Sequence, residues 1–182
     1  QASRTDGIYR SLADYVAPVE SGRMDYLGGF VVTAGIGAEE EADRYKAEGD
    51  DYRALMVKLL ADRLAEAFAE LLHLIVRTRY WGYSKEENLS VEDLLRMQYD
   101  GIRPAFGYPA LRDHSQKELL FRLLDGERIG VTLTESYMMQ PGASVSGLYF
   151  GSKESAYFDI NRIDGEQFED YLSRNGKPAK EL

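Results

Sequence analysis

Residues 50–76 read DDYRALMVKLLADRLAEAFAELLHLIV, and this stretch carries the strongest structural signal in the chain. Its apolar residues recur at steps of three and four, the spacing that places side chains on one side of an α-helix. They are Leu55, Met56, Leu59, Leu60, Leu64, Phe68, Leu71, Leu72, Ile75 and Val76. The pattern predicts a long amphipathic helix that packs these side chains on a core.

Strand signals lie on both sides of this helix. Upstream, Met24–Ala34 is rich in aromatic and β-branched residues, although Gly28-Gly29 at its centre would weaken or bulge a strand. Downstream, three segments have the composition of strands, namely Ile129–Met138, Val145–Phe150 and Ala156–Ile163. Because strands and helices are segregated along the chain and do not alternate strictly, we predict an α+β fold.

Shorter helices are predicted from their start signals. Ser90 precedes VEDLLRMQY, and Ser115 is followed three residues later by Glu118, as in a capping box. Asp164 and Gly176 bracket a last helix. A length of 182 residues suits a single core, so we predict one domain over residues 1–182.

Composition excludes several classes of protein. Acidic residues outnumber basic ones 31 to 22, and the net charge of −9 repels nucleic acid and anionic lipid. No apolar run approaches the roughly 18 residues of a membrane span. Without cysteine there are no disulfides, thiolate metal sites or cysteine nucleophile, which is compatible with a cytoplasmic location. A zinc site would depend on the distant His73 and His114, so we expect no metal.

The segment 101–117, GIRPAFGYPALRDHSQK, is the best candidate for a binding loop. Pro104 and Pro109 fix their own φ angles, while Gly107 can adopt angles that other residues avoid. A stiff loop presents backbone groups at defined positions, which suits the edge of a planar heterocycle such as adenine. Arg103 adds a planar guanidinium, which can donate two parallel hydrogen bonds to a carboxylate. On these residues alone, a long turn with one surface arginine remains the alternative.

The amino-acid sequence of the loop resembles that of a known family. RPAFGYPALRDHSQK is similar to the arginine-x-x-x-glycine-tyrosine signature of the activation domain of cobalamin-dependent methionine synthases. The resemblance continues over nearly the whole chain, in residues 50–70, 80–90, 133–150 and 164–177. It implies a C-shaped α+β domain with a twisted antiparallel sheet that binds S-adenosylmethionine.

The resemblance also implies roles for particular residues. Arg103 would hold the methionine carboxylate of the ligand. Pro104, Ala105 and the Gly107–Pro109 turn would complete the binding loop, with Tyr108 close to the corrin ring after docking. Tyr149 and Phe150 would contact the adenosine, and Glu66 would face the site.

Each of these side chains has a simpler interpretation. Tyr149 and Phe150 would otherwise belong to the core, and because consecutive strand residues point to opposite faces, at most one ring can line a pocket. Glu66 would be a solvated carboxylate, although Asp62, one turn earlier, could form a partner-facing patch with it. His73 and His114 receive no catalytic role, and no residue is expected to act as a nucleophile or base.

The resemblance implies that the chain is part of a methyltransferase, methionine synthase, and supports its methyl transfer from methyltetrahydrofolate to homocysteine. The domain would present the methyl group of S-adenosylmethionine to an inactive cob(II)alamin carried by the cobalamin-binding module of the same chain. A flavodoxin-type or diflavin donor would supply an electron. The chain would then be an N-terminally truncated fragment of methionine synthase.

Two alternatives remain open. The chain could be a stand-alone accessory protein that binds S-adenosylmethionine and reactivates another corrinoid protein in trans, or an interaction module that has lost its ligand. A Rossmann-type methyltransferase is disfavoured, because no glycine-rich loop follows a first strand and opens a helix.

Overall fold

The computed structural model describes residues 10–160 and 163–175. Its helices are α1 (Ala38–Ala47), α2 (Asp51–Ile75), α3 (Val91–Leu95), α4 (Lys117–Leu124) and α5 (Gly165–Asn175). Its strands are β1 (Gly28–Thr33), β2 (Thr132–Leu133), β3 (Met139–Gln140) and β4 (Ser144–Tyr149). Both strand pairs, β1 with β4 and β2 with β3, are antiparallel. The α+β class is therefore confirmed.

The long helix α2 forms as predicted but buries a different face. Asp50 caps it by accepting the Arg53 N–H at 2.9 Å, and the helix continues for 25 residues into a π-helical turn at Val76–Tyr80. Its buried residues are Ala54, Ala61, Ala65, Ala69 and His73. The expectation that the leucines form the core is wrong for most of them, since Leu64 is 61% exposed and Phe68 is 45% exposed.

Bulky residues on the sheet explain this reversal. The rings of Phe30 in β1 and Tyr149 in β4 stack at 4.7 Å and occupy the space between sheet and helix. Ala69 of α2 belongs to the same buried cluster, and its small side chain lets the helix backbone approach these rings closely. Only the end of the predicted apolar face, Leu72 and Val76, packs partly against this cluster.

Helix α2 consequently has three distinct sides. At about 100° per residue, Asp62, Glu66 and Glu70 fall on one flank of the buried alanine side. The other flank is an apolar stripe of exposed or half-buried residues, namely Val57, Leu60, Leu64, Phe68, Leu71 and Ile75. The acidic flank is the one that faces the candidate site described below.

The β1–β4 pair runs in unbroken register from Gly28 opposite Tyr149 to Thr33 opposite Ser144. The expected bulge at Gly28-Gly29 is therefore absent from this ladder. The glycines serve close packing, because a Cβ at Gly29 would lie 2.5 Å from the Leu120 side chain of α4. Helix α4 thus sits directly on the sheet.

Two of the predicted strands are largely irregular. Within Ile129–Met138 only Thr132–Leu133 is a strand. Ala156–Ile163 forms no strand in its described part, and residues 161–162 lie outside the described residues. Side chains satisfy its carbonyls in place of a ladder, since Tyr15 Oη donates to Ala156 O at 3.2 Å and Arg112 donates to Ile160 O.

The helix starts were predicted with mixed success. Ser90 and Asp93 form the capping box of α3, with Ser90 Oγ accepting the Asp93 N–H at 3.2 Å. The box predicted at Ser115 is wrong, because Ser115 is buried and Asp113 caps this turn by accepting the Ser115 N–H at 2.8 Å. The last helix begins at Gly165, where Asp164 accepts the Gln167 N–H at 2.9 Å.

Candidate functional site

The candidate binding loop lies along the free edge of β4. Ile102 exchanges two backbone hydrogen bonds of 3.0 Å with Phe150, and Leu148 N–H donates to Pro104 O at 3.1 Å. A Cβ at Gly147 would lie 2.4 Å from that carbonyl oxygen, so only glycine permits this approach. The loop is therefore fixed to the sheet by its backbone.

Beyond this edge the chain makes a tight turn. Gly107 has a φ of +94° and donates its N–H to Leu111 O at 2.8 Å, and Leu111 N–H donates to Tyr108 O at 2.9 Å. The His114 ring packs under Gly107, and its Nδ1 lies 2.8 Å from Lys117 Nζ. Burial and the Lys117 charge lower the pKa of His114. The His114 ring thus packs against the turn at Gly107 and stabilises it.

Arg103 is held at both its backbone and its side chain. Its N–H donates to Tyr157 Oη at 3.0 Å, and its Nη2 donates to Glu70 Oε2 on the acidic flank of α2. The two side chains are 19% and 29% exposed. Arg103 Nε and Glu70 Oε1 are buried without a partner among the described residues. The ion pair therefore leaves hydrogen-bonding capacity on both members.

A buried polar cluster lies beneath this pair. The His73 ring stacks on Tyr149 at 5.1 Å, and Arg77 lies 4.0 Å over the Tyr99 ring. Burial, with the nearby charges of Arg77 and Arg103, lowers the pKa of His73 to about 2. Burial raises the pKa of Tyr149. Both groups are consequently neutral near pH 7.

A second, fully buried ion pair anchors the cluster. Arg77 donates to both carboxylate oxygens of Glu87, at 2.8 and 2.7 Å, and the Arg77 side chain has no exposure. Such a bidentate pair fixes the guanidinium plane. It ties the end of α2 to the segment that precedes α3.

The predicted site residues fall into two groups in the structure. Arg103, Pro104, Ala105, Gly107, Tyr108 and Pro109 share one loop, and Tyr108 is exposed at its tip. Glu66 is exposed on α2, one turn before the Glu70 that holds Arg103. The fold therefore places the loop against the flank of α2 that also carries Glu66.

Tyr149 and Phe150 lie beneath the surface. Tyr149 is 3% exposed between Phe30 and His73, and Phe150 is 4% exposed with its ring 6.2 Å from Tyr15. They point to opposite sides, as alternation along a strand requires. Their contact with an adenosine remains a prediction.

Sequence reasoning missed two residues at this site. Glu70 lies one turn beyond Glu66, so the spacing of the acidic flank is the signal that could have revealed it. Tyr157 was assigned to a strand, and nothing in its sequence context indicated that its hydroxyl would accept the Arg103 N–H.

The described residues also include a cavity, but they meet the requirements of neither a metal site nor a membrane-spanning helix. A cavity of about 380 Å³ is lined by Tyr15, Tyr26, Trp81, Tyr83 and neighbouring residues, none of them a predicted site residue. Within residues 10–160 and 163–175, no group of three or more His, Cys, Asp or Glu residues could hold a metal ion. No helix in the same ranges has the length and apolarity needed to cross a membrane.

The loop and the acidic flank of α2 together place the Arg103 guanidinium beside backbone groups that are fixed to the sheet. The chain belongs to the family of vitamin B12-dependent methionine synthase activation domains, whose model matches residues 1–176. It is also similar to a solved chain described as the MetH reactivation domain bound to AdoHcy, at 53% identity and a TM-score of 0.90. That match covers 93% of this chain and 53% of the solved one, so this chain spans about half the length of its relative.

Proposed function

We propose that this chain is a reactivation module that binds S-adenosylmethionine at the Arg103 loop and serves the repair of an oxidised cobalamin. The observation that carries this proposal is the partly buried Arg103 guanidinium on a loop fixed to β4. Nη1 of Arg103 makes no hydrogen bond to the described residues and is not among their buried unpartnered atoms. It is the group that suits the carboxylate of a methionine moiety.

The rest of the loop fits the remainder of such a ligand. The N–H groups of Gly107 and Tyr108 and the carbonyl of Tyr108 are engaged within the turn. No backbone N–H of the described residues donates to the carbonyls of Gly107 and Pro109, so these two carbonyls can accept from amino or hydroxyl groups of a nucleoside. The relative with bound AdoHcy supports the same ligand class, since AdoHcy differs from S-adenosylmethionine by one methyl group.

The task of the residues is positioning. S-adenosylmethionine supplies an electrophilic sulfonium methyl group when bound, so no nucleophile or base is required from the chain. Tyr108, exposed at the tip of the loop, and Glu66, exposed on α2, form the surface proposed to meet a cobalamin-binding module of the same polypeptide. The proposed electron donor is a flavodoxin-type or diflavin protein.

Calorimetric titration of the purified chain with S-adenosylmethionine tests the ligand, with S-adenosylhomocysteine and ATP for comparison. Arg103→Ala should weaken binding by about 2 kcal/mol or more, the scale for leaving a charged ligand group unpaired. Arg96→Ala is the matched control, because Arg96 is 64% exposed in a surface pair with Glu92. Equal affinities of the wild type and Arg103→Ala would contradict the assigned role, and absence of binding to the wild type would contradict the proposal.

A further inference from the structure

We propose that Glu70 is a positioning residue for ligand recognition, which acts by orienting the Arg103 guanidinium towards the carboxylate of the ligand. This inference rests on the proposed function and adds a residue that the family resemblance did not supply. Glu70 itself need not touch the ligand.

The contact between Glu70 and Arg103 involves only one of the three guanidinium nitrogens. Glu70 engages only Nη2 of Arg103, and Nε faces the interior without a partner among the described residues. The remaining nitrogen, Nη1, is neither bonded to a described residue nor one of the buried unpartnered atoms. The contact with Glu70 therefore selects which edge of the guanidinium is presented outward.

Both Glu70 and Arg103 are attached to backbone that is held in place by packing or hydrogen bonds. Glu70 follows Ala69, which is fully buried against the sheet, near the end of a 25-residue helix. Ile102 is hydrogen-bonded to Phe150, directly after β4, and Pro104 is hydrogen-bonded to Leu148 of β4. The N–H of Arg103 itself donates to Tyr157. A long arginine side chain otherwise loses much rotamer freedom when it binds. Glu70 removes most of that freedom before the ligand arrives.

The charge of Glu70 also fits the proposed ligand. A carboxylate next to Arg103 repels the ligand carboxylate, but S-adenosylmethionine carries an ammonium and a sulfonium as well. Its net positive charge is attracted to the acidic flank formed by Asp62, Glu66 and Glu70. For S-adenosylmethionine, this attraction offsets the repulsion between the carboxylates of Glu70 and the ligand.

The test compares S-adenosylmethionine with decarboxylated S-adenosylmethionine, which lacks only the α-carboxylate. Glu70→Gln keeps the shape of the side chain but weakens the charge-assisted bond to Arg103. It should lower the affinity for S-adenosylmethionine about tenfold, and it should weaken the decarboxylated compound no more than Asp62→Asn does. Asp62→Asn, on the same flank two turns earlier, is the control for a general charge effect.

Several results would overturn the inference. Unchanged or tighter binding of S-adenosylmethionine by Glu70→Gln would show that Glu70 does not position Arg103, and equal weakening of both ligands would show a general structural role. If the wild type binds neither compound, the proposed function fails and this inference fails with it. The wild type also permits a test without any variant, since ¹⁵N NMR should show hindered rotation of the Arg103 guanidinium. Free rotation would contradict the proposal.

Discussion

The carbonyl oxygen of Pro104 occupies the place that a side chain at Gly147 would need. A Cβ built on Gly147 lies 2.4 Å from that oxygen and 3.1 Å from the Cα of Ala105. The strand can therefore hold the binding loop at this distance only because residue 147 lacks a side chain. The position of the loop follows from one glycine on β4.

Gly147→Ala should displace the loop and weaken both the fold and the site. The added methyl group would collide with the backbone of Pro104 and Ala105. That backbone cannot move away without breaking the Leu148–Pro104 hydrogen bond. We expect a loss of about 1–3 kcal/mol in the free energy of unfolding, measured by urea denaturation. Gly142→Ala is the control, because a Cβ there meets nothing within 4 Å. Equal stability of the two variants would refute the close-approach argument.

The buried side of α2 can be tested with two adjacent residues. Ala65 is 1% exposed against the fold, whereas Leu64 is 61% exposed. Ala65→Leu should destabilise the chain by about 1–3 kcal/mol through overpacking, while Leu64→Ala should change stability by less than about 0.5 kcal/mol. Chemical denaturation of both variants decides the point. A larger loss for Leu64→Ala would mean that the leucine side is the packed one.

The Arg77–Glu87 pair should be essential for stability. Arg77 is fully buried, so removal of its partner leaves an uncompensated charge in the interior. Glu87→Gln should cost about 3 kcal/mol or more. Glu92→Gln breaks the exposed pair with Arg96 and should cost less than about 1 kcal/mol. Thermal unfolding of the two variants at one pH makes the comparison, and similar melting temperatures would contradict it.

Acid should destabilise the chain through His73. The pKa of this buried imidazole is lowered to about 2 in the folded state, whereas an unfolded histidine titrates near about 6.5. Below that pH the unfolded state binds a proton that the folded state excludes, so stability falls as the pH falls. Between about pH 6.5 and 5 the loss from this one group is about 1.5 kcal/mol.

The measurement is the slope of unfolding free energy against pH in the wild type and in His73→Gln. The difference between the two curves isolates His73, because the other titrating groups are shared. The wild type should lose stability more steeply over this range. Parallel curves would show that His73 is protonated in the folded state or accessible to water.

Sequence patterns predicted the parts of this fold that depend on neighbouring residues. The periodicity of residues 50–76 and the start signal at Ser90 each act within a few turns of the chain, and a helix formed at both places, although the second one ends at Leu95. The loop from Arg103 to Pro109 was found through its prolines and glycines together with the family resemblance. These signals are local, so a single sequence is sufficient to reveal them.

The missed features depend on tertiary packing. Hydrophobicity favours leucine over alanine, yet the α2 residue that is buried in the cluster of Phe30 and Tyr149 is Ala69. The contacts of Glu70 and Tyr157 with Arg103 join residues 33 and 54 positions apart, and no local pattern encodes them. Long-range pairing thus decided both the buried helix face and the detail of the site.

The Ile102–Ala105 segment has a further consequence for the behaviour of the chain in solution. It covers the outer edge of β4 from Gly147 to Phe150, where unpaired N–H and C=O groups would otherwise be a template for another strand. A substitution that frees this segment would therefore promote edge-to-edge aggregation. Solubility and the position of the candidate loop depend on the same few backbone hydrogen bonds.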